Sequence, residues 1–233
     1  MKKFQIISDT HIEFLNEIDI NDFIIPEADY LILAGDIGSI YKLTQLKKFL
    51  IDLSNLFKYI IYIPGNNEYY NIDTIEKKSF SQLNDILNNL NISNLKILNR
   101  NHIIIDDICI IGCILWSFIK KKLPNDLIKI HDITIQKYNQ MHIKDVYYIQ
   151  NCLNFYKNSK LKFLVITHYP PIPIKKQRKN DNLSCFYKNE LQHLIKNNNI
   201  HTWVCGHIHY NFDFYMKNTR IIGNQKGKRK SKC

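Results

Sequence analysis

The stretch Phe4-Gln5-Ile6-Ile7-Ser8-Asp9-Thr10-His11 decides how this chain is read. It begins as an apolar run of strand length and ends on a carboxylate and an imidazole two residues apart. Residues i and i+2 share a face of a strand, so at its end Asp9 and His11 could reach one ion. Four more apolar runs finish in the same manner. Tyr30–Ala34 is closed by Gly35-Asp36 and Tyr59–Ile63 is followed by Gly65-Asn66. Phe163–Thr167 is closed by His168, and Trp203–Cys205 by Gly206-His207-Ile208-His209. In open α/β sheets ligands bind beyond the carboxyl ends of the strands, so these five ends could converge.

Outward from these runs, further strand-like segments are His102–Ile105, Ile108–Gly112, Phe212–Tyr215 and Arg220–Ile222. Apolar residues at helical spacing lie between several of them. One set is Leu43, Leu46, Leu50, Leu53 and Phe57, and a second is Ile75, Leu83, Ile86, Leu87 and Leu90. Val146, Ile149, Leu153 and Tyr156 form a third, and Leu191, Leu194 and Ile195 a shorter fourth. Strands alternating with helices predict an α/β fold with βαβ crossovers. Asp106-Asp107, between two Ile-rich strands, reads as a two-residue hairpin turn and predicts mixed sheets. Pro170–Asn182 reads as a loop.

The 233 residues carry no Pro/Gly/Ser-rich linker, which predicts one domain rather than two. No apolar run approaches the roughly 20 residues needed to span a bilayer, and the basic start lacks the features of a signal peptide. A cytoplasmic protein with no membrane partner is the expectation. There are six cysteines without a CxxC pair, and most are expected to be reduced and buried. Net charge is +11, and five basic residues, Lys226, Lys228, Arg229, Lys230 and Lys232, crowd the C-terminus. That balance suits an anionic partner, nucleic acid included, although a frayed and solvated tail explains the final residues as well. Nothing in the sequence sets an oligomeric state.

The candidate metal ligands are Asp9, His11, Asp36, Asn66, His168, His207 and His209. Carboxylate oxygen, amide oxygen and imidazole nitrogen together suit Mn, Fe or Zn, and the lack of thiolates argues against a structural zinc cage. Each piece alone is weak, since Asp-x-His also arises as a helix cap beside a surface histidine. All of them in order, each after an apolar strand, form a far more specific signal. The small residues Gly35, Gly65 and Gly206 allow tight turns and close backbone approach.

The ordered set Asp9-x-His11, Gly35-Asp36, Gly65-Asn66-x-Glu68, His168 and Gly206-His207-x-His209 resembles the calcineurin-like metallophosphoesterase superfamily, from Phe4 to about Gly227. Gly112-Cys113-Ile114-Leu115-Trp116, Thr167-His168-Tyr169-Pro170-Pro171 and Asn224-Gln225-Lys226-Gly227 are similar to phrases of its single-domain bacterial and viral members. The resemblance implies a four-layer αββα sandwich of two mixed sheets over residues 1–227, with a basic, disordered tail at 228–233. It implies two divalent metal ions at the C-terminal ends of the strands, manganese favoured. By analogy Asp9, His11 and His209 bind one ion and Asn66, His168 and His207 the other, with Asp36 bridging. The implied reaction is hydrolysis of a phosphate monoester or diester by a metal-bridging hydroxide, with Asp36, Asn67 and His168 at the catalytic centre. Substrates would be a phosphorylated small molecule or a phosphoprotein.

One position departs from the family pattern. Asn67 stands where the family usually has a histidine that protonates the departing alkoxide. A carboxamide delivers no proton, and general acid catalysis is worth roughly 10²–10⁴-fold. Three readings follow: a substrate whose leaving group needs no proton, a substitute donor among His131, His142 and His201, or a protein that mainly binds a phosphorylated ligand. Nuclease activity is a further alternative, favoured by the net charge. Arg178 with Lys175, Lys176 and Lys179 could meet substrate phosphates. Glu68 is expected to support the site rather than bind metal, and Trp116 and Trp203 to belong to the core or the pocket wall.

Overall fold

The computed structural model describes residues 2–72, 75–120, 129–174 and 189–227. The tail 228–233, the basic group around Arg178, Cys185 and Cys233 lie outside the described residues.

Four parallel strands, β1 (Phe4–Ile7), β2 (Tyr30–Ala34), β3 (Tyr59–Ile63) and β4 (Leu95–Ile97), form one sheet in the order β1-β2-β3-β4. The second sheet holds β5 (Asn101–Ile105), β6 (Ile108–Cys113), β7 (Lys162–Thr167), β8 (Ile200–Val204), β9 (Phe212–Met216) and β10 (Thr219–Gly223). Its order is β5-β6-β7-β8-β10-β9, with parallel strands at the centre and antiparallel ones at both edges. The α-helices among the described residues are α1 (Leu43–Leu56), α2 (Phe80–Asn88), α3 (Ile135–Phe155) and α4 (Gln192–Asn197).

Strand alternation assigns the layers. Ile32, Ala34, Ile61 and Ile63 of the first sheet meet Ile110, Leu164, Ile166 and Val204 of the second in a core between the sheets. Their sequence neighbours Leu31, Leu33, Ile60, Cys109, Ile111, Val165 and Trp203 face the other way, into a core shared with the helices. This is the expected αββα sandwich, with one correction: only the second sheet is mixed. β1 to β4 are separated by segments long enough for crossovers, whereas the tight turn at Asp106-Asp107 joins β5 to β6 in the other sheet.

Elsewhere the expected elements shift by a residue or two, with three larger differences. β4 is only three residues long, and the alternation in Leu95-Lys96-Ile97 is too short to read. Ile75, at helical spacing in the sequence, lies before α2 and is exposed; the helix begins after Ser79, whose side chain forms a reciprocal capping box with Gln82. α3 starts eleven residues before Val146. Its buried face there carries Tyr138 and Asp145, so the apolar period is broken by a carboxylate. Asp145 earns its place: it accepts from Arg100 Nη1 at 2.6 Å and from the Leu115 and Trp116 amides at 2.9 and 3.3 Å. The Ile114 carbonyl beside them takes the His168 and Tyr169 amides at 3.2 and 3.0 Å, so α3 steadies the backbone of a candidate ligand.

Trp116 and Trp203 are fully buried, and Cys109, Cys113, Cys152 and Cys205 are free thiols in the interior. Among the described residues no helix is long and apolar enough to cross a membrane.

Candidate metal centre

β1, β2 and β3 run parallel in one sheet, as do β7 and β8 in the other. Their C-terminal ends meet at one edge of the sandwich, where His168 Nδ1 donates to the Ala34 carbonyl at 2.9 Å and ties β7 to β2. All seven candidate ligands stand at this edge. Ligand atoms of Asp9, His11, Asp36 and His209 lie within 4.8 Å of one another, as do those of Asp36, His168 and His207. The two groups share Asp36. Its Oδ1 is 3.2 Å from His168 Nε2 and its Oδ2 is 3.8 Å from His11 Nε2. Asn66 Oδ1 joins the second group, 3.1 Å from His168 Nε2.

The donor set fits divalent cations. His11 Nε2 faces His209 Nε2 at 3.0 Å, and His168 Nε2 faces His207 Nδ1 at 3.2 Å, so pairs of ring nitrogens converge on common points. Donation of Nδ1–H to Ala34 leaves the His168 Nε2 lone pair aimed inward, and Glu13 Oε1, 3.1 Å from His11 Nδ1, can orient His11 likewise. Electrostatics agree. Burial opposes ionisation of Asp36, yet the charge and hydrogen bond of His168, aided by His11 and His207, hold its carboxyl below the usual range. Burial disfavours a charged His168 as well, but Asp36 raises its pKa to about 9. The cluster attracts positive charge, and a cation binding there would displace protons.

Five of the seven residues adopt left-handed backbone: Asp9 (φ 54°), His11 (49°), Asp36 (54°), His207 (74°) and His209 (52°). For a non-glycine residue each such conformation costs about 1–3 kcal/mol, and it persists where surrounding bonds over-determine it. Here Asp9 N donates to Gly35 O at 3.0 Å, His11 N to Asp36 O at 3.1 Å, and His209 N to Gln225 Oε1 at 2.5 Å. The turns swing side chains off the regular strand pattern and into the edge. At Gly65, a Cβ would lie 2.2 Å from Asp36 Oδ1, so only glycine admits the shared carboxylate.

Glu68 is fully buried and braces the turns after β2 and β3. It accepts from the amides of Gly65, Asp36 and Ile37 at 2.8, 3.1 and 2.8 Å, and from the Tyr62 hydroxyl at 2.7 Å. Burial and the charge of Asp36 raise its pKa to about 7, against the Tyr62 bond. Asn67 places its amide 2.9 Å from Asp36 Oδ1 and its Nδ2 2.6 Å from Asp36 Oδ2, donating to both oxygens of that carboxylate. Tyr169 stacks on His207 with ring centroids 3.9 Å apart.

The family model for calcineurin-like phosphoesterases matches residues 2–211. The chain belongs to the calcineurin-like phosphoesterase family. An uncharacterized protein of Acanthamoeba polyphaga mimivirus is 31% identical to this phosphoesterase-family chain over 261 aligned positions, 97% of this chain and 91% of that protein. A solved structure of phosphopantetheinyl hydrolase from Mycobacterium tuberculosis superposes with a TM-score of 0.76 at 15% identity, covering 96% of this chain and 89% of that one. At that identity the second likeness speaks for the fold.

Within this calcineurin-like phosphoesterase framework, the three histidines weighed as substitute proton donors are engaged elsewhere. His131 pairs with Asp132 at 3.1 Å, His142 Nδ1 donates to the Trp116 carbonyl, and His201 lies at the opposite end of β8 beside Thr202. Two further residues support the site: Glu13, and Gln225 of the Asn224–Gly227 phrase. Glu13 follows His11 by two residues, a spacing that was open to notice. Gln225 reaches the site only because Ser8 bridges to it across the fold.

Proposed function

We propose that this chain is a dinuclear metal-dependent phosphoesterase that hydrolyses phosphate monoesters or diesters. The observation that carries the reading is the sharing of Asp36 between two clusters of ligand atoms at one edge. Asp9, His11 and His209 would hold one cation and Asn66, His168 and His207 the other, with Asp36 common to both. Divalent cations so placed supply charge neutralisation at phosphorus and a water acidified to work at neutral pH. The chain's own residues set the stage for that chemistry. Glu68 and Gly65 hold Asp36 in place, Glu13 and the Ala34 carbonyl orient two imidazoles, and Asn67 donates hydrogen bonds without an acidic proton.

The proposed substrates are phosphorylated small molecules or phosphoproteins with leaving groups that depart without protonation. The test is reconstitution of metal-stripped protein with Mn²⁺, Fe²⁺ or Zn²⁺, followed by metal analysis and a screen of monoester, diester and anhydride substrates. Two ions per chain with turnover of any of these is expected, manganese giving the highest rate. Fewer than two ions under saturating metal would sink the dinuclear reading. Asn67 also favours a second reading, a protein that binds a phosphorylated ligand without turning it over. Metal loading and tight phosphate binding with no hydrolysis of any substrate would select that one.

A further inference from the structure

Beside the cluster lies a pocket of about 250 Å³ lined by Thr10, His11, Phe14, Leu15, Phe23 and Lys226. One wall is Phe14, whose ring lies 6.1 Å from that of His11 yet is 54% exposed. Phe23 also lines the pocket, anchored in the core by an edge-on contact with Phe49 at 5.3 Å. Lys226 brings a positive charge beside it, 5.5 Å from the Phe23 ring centroid, and donates to the Asp22 carbonyl. His11, one of the residues proposed for the first cation, lines it as well. A cavity of roughly 150 Å³ already accepts benzene, so this one has room for a single ring.

We infer that this pocket seats the ring of an aryl phosphate whose phosphoryl group lies on the cation pair, an inference that rests on the two-cation reading. Two unrelated observations meet in it. The pocket offers aromatic walls to the organic part of the substrate. At Asn67, which contacts Asp36 and not this pocket, the chain carries no acid to protonate a leaving group, and an aryloxide needs none. In the reaction the oxygen of water bonds to phosphorus while the bond from phosphorus to the aryl oxygen breaks. That electron pair leaves on the aryloxide, and the proton released by water passes to the solvent buffer.

Non-hydrolysable phosphonates separate ring recognition from leaving-group chemistry. With the Mn²⁺-loaded protein, calorimetry is expected to show phenylphosphonate binding about tenfold tighter than methylphosphonate, the value of burying one ring face. Phe14→Ala should remove that preference and Phe14→Trp should keep it. Because Phe14 is half exposed, neither change disturbs the core. Equal affinity for the two phosphonates in the unaltered protein, or an unchanged preference in Phe14→Ala, overturns the pocket while leaving the phosphoesterase reading intact. Failure of both phosphonates to bind, with no turnover of any ester, overturns the two together.

Discussion

The two halves of the cluster are built differently. Around His168 the side chains are enclosed: His168 is fully buried, Asn66 nearly so, and Tyr169 covers His207. Around His11 the cluster opens, because His209 keeps 32% side-chain exposure and the Phe14 pocket adjoins. Support differs in the same direction. His168 is held by a backbone carbonyl and by the Ile114 carbonyl that α3 steadies through Asp145. The His11 amide is also held, by the Asp36 carbonyl, but its ring depends on a side chain, Glu13, where the His168 ring has a backbone carbonyl. An enclosed half suits a cation that stays; an open half suits exchange of water, product and metal.

Asp36→Asn removes the element common to both halves and should have the largest effect. Turnover is expected to fall by about 10²–10³-fold, the scale of losing a preorganised electrostatic group. Metal analysis should show fewer than two ions per chain, and retention of both with full activity would dissolve the comparison. Asn67→His comes next, with a gain of up to about 10²-fold on alkyl phosphates and little on aryl phosphates. Equal gains, or none, would mean that protonation does not limit the reaction.

Glu13→Gln bears on the open half alone. Loss of a ligand-orienting carboxylate typically weakens metal binding by about 10–100-fold, so one of two ions should be lost on titration with a chelator. Loss of both together would show that the halves are not independent. The smallest effect concerns His142, in the layer behind the enclosed half. Burial holds its pKa below the ordinary 6.5, opposed by the Trp116 carbonyl. The unfolded chain therefore binds this proton more readily, so the stability His142 contributes is present above pH 6.5 and lost as pH falls through the lowered value. Unfolding free energies of wild type and His142→Gln from urea titration should converge slightly as pH drops from about 7.5 to about 5. A gap that widens on acidification would reverse the sign.

Much of this was legible in the residues alone. Apolar strands end in Asp9, Asp36, Asn66, His168 and His207, and that local pattern predicts both the sheets and the residues at their edge. Alternation of period two and spacing of period 3.6 are short-range signals, carried by hydrophobic burial, and survive without knowledge of neighbours in space. They fail where a strand is too short, as at Leu95–Ile97, or where a buried carboxylate interrupts the apolar face, as at Asp145.

By itself, then, the sequence determined most element types, the donor chemistry and the carboxamide at Asn67, where the family pattern has a histidine. Tertiary structure alone decided the rest: the left-handed turns, the amides and hydroxyl that Glu68 braces, the bond from His209 to Gln225, and which half lies open. His11 and His209 stand 198 residues apart in the chain, yet their ring nitrogens face each other at 3.0 Å. Such a contact exists only once both sheets have packed and their C-terminal ends have been brought to one edge. Strained backbone at Asp9 or His209 is likewise invisible to residue preference, because bonds to distant partners such as Gly35 and Gln225 hold it.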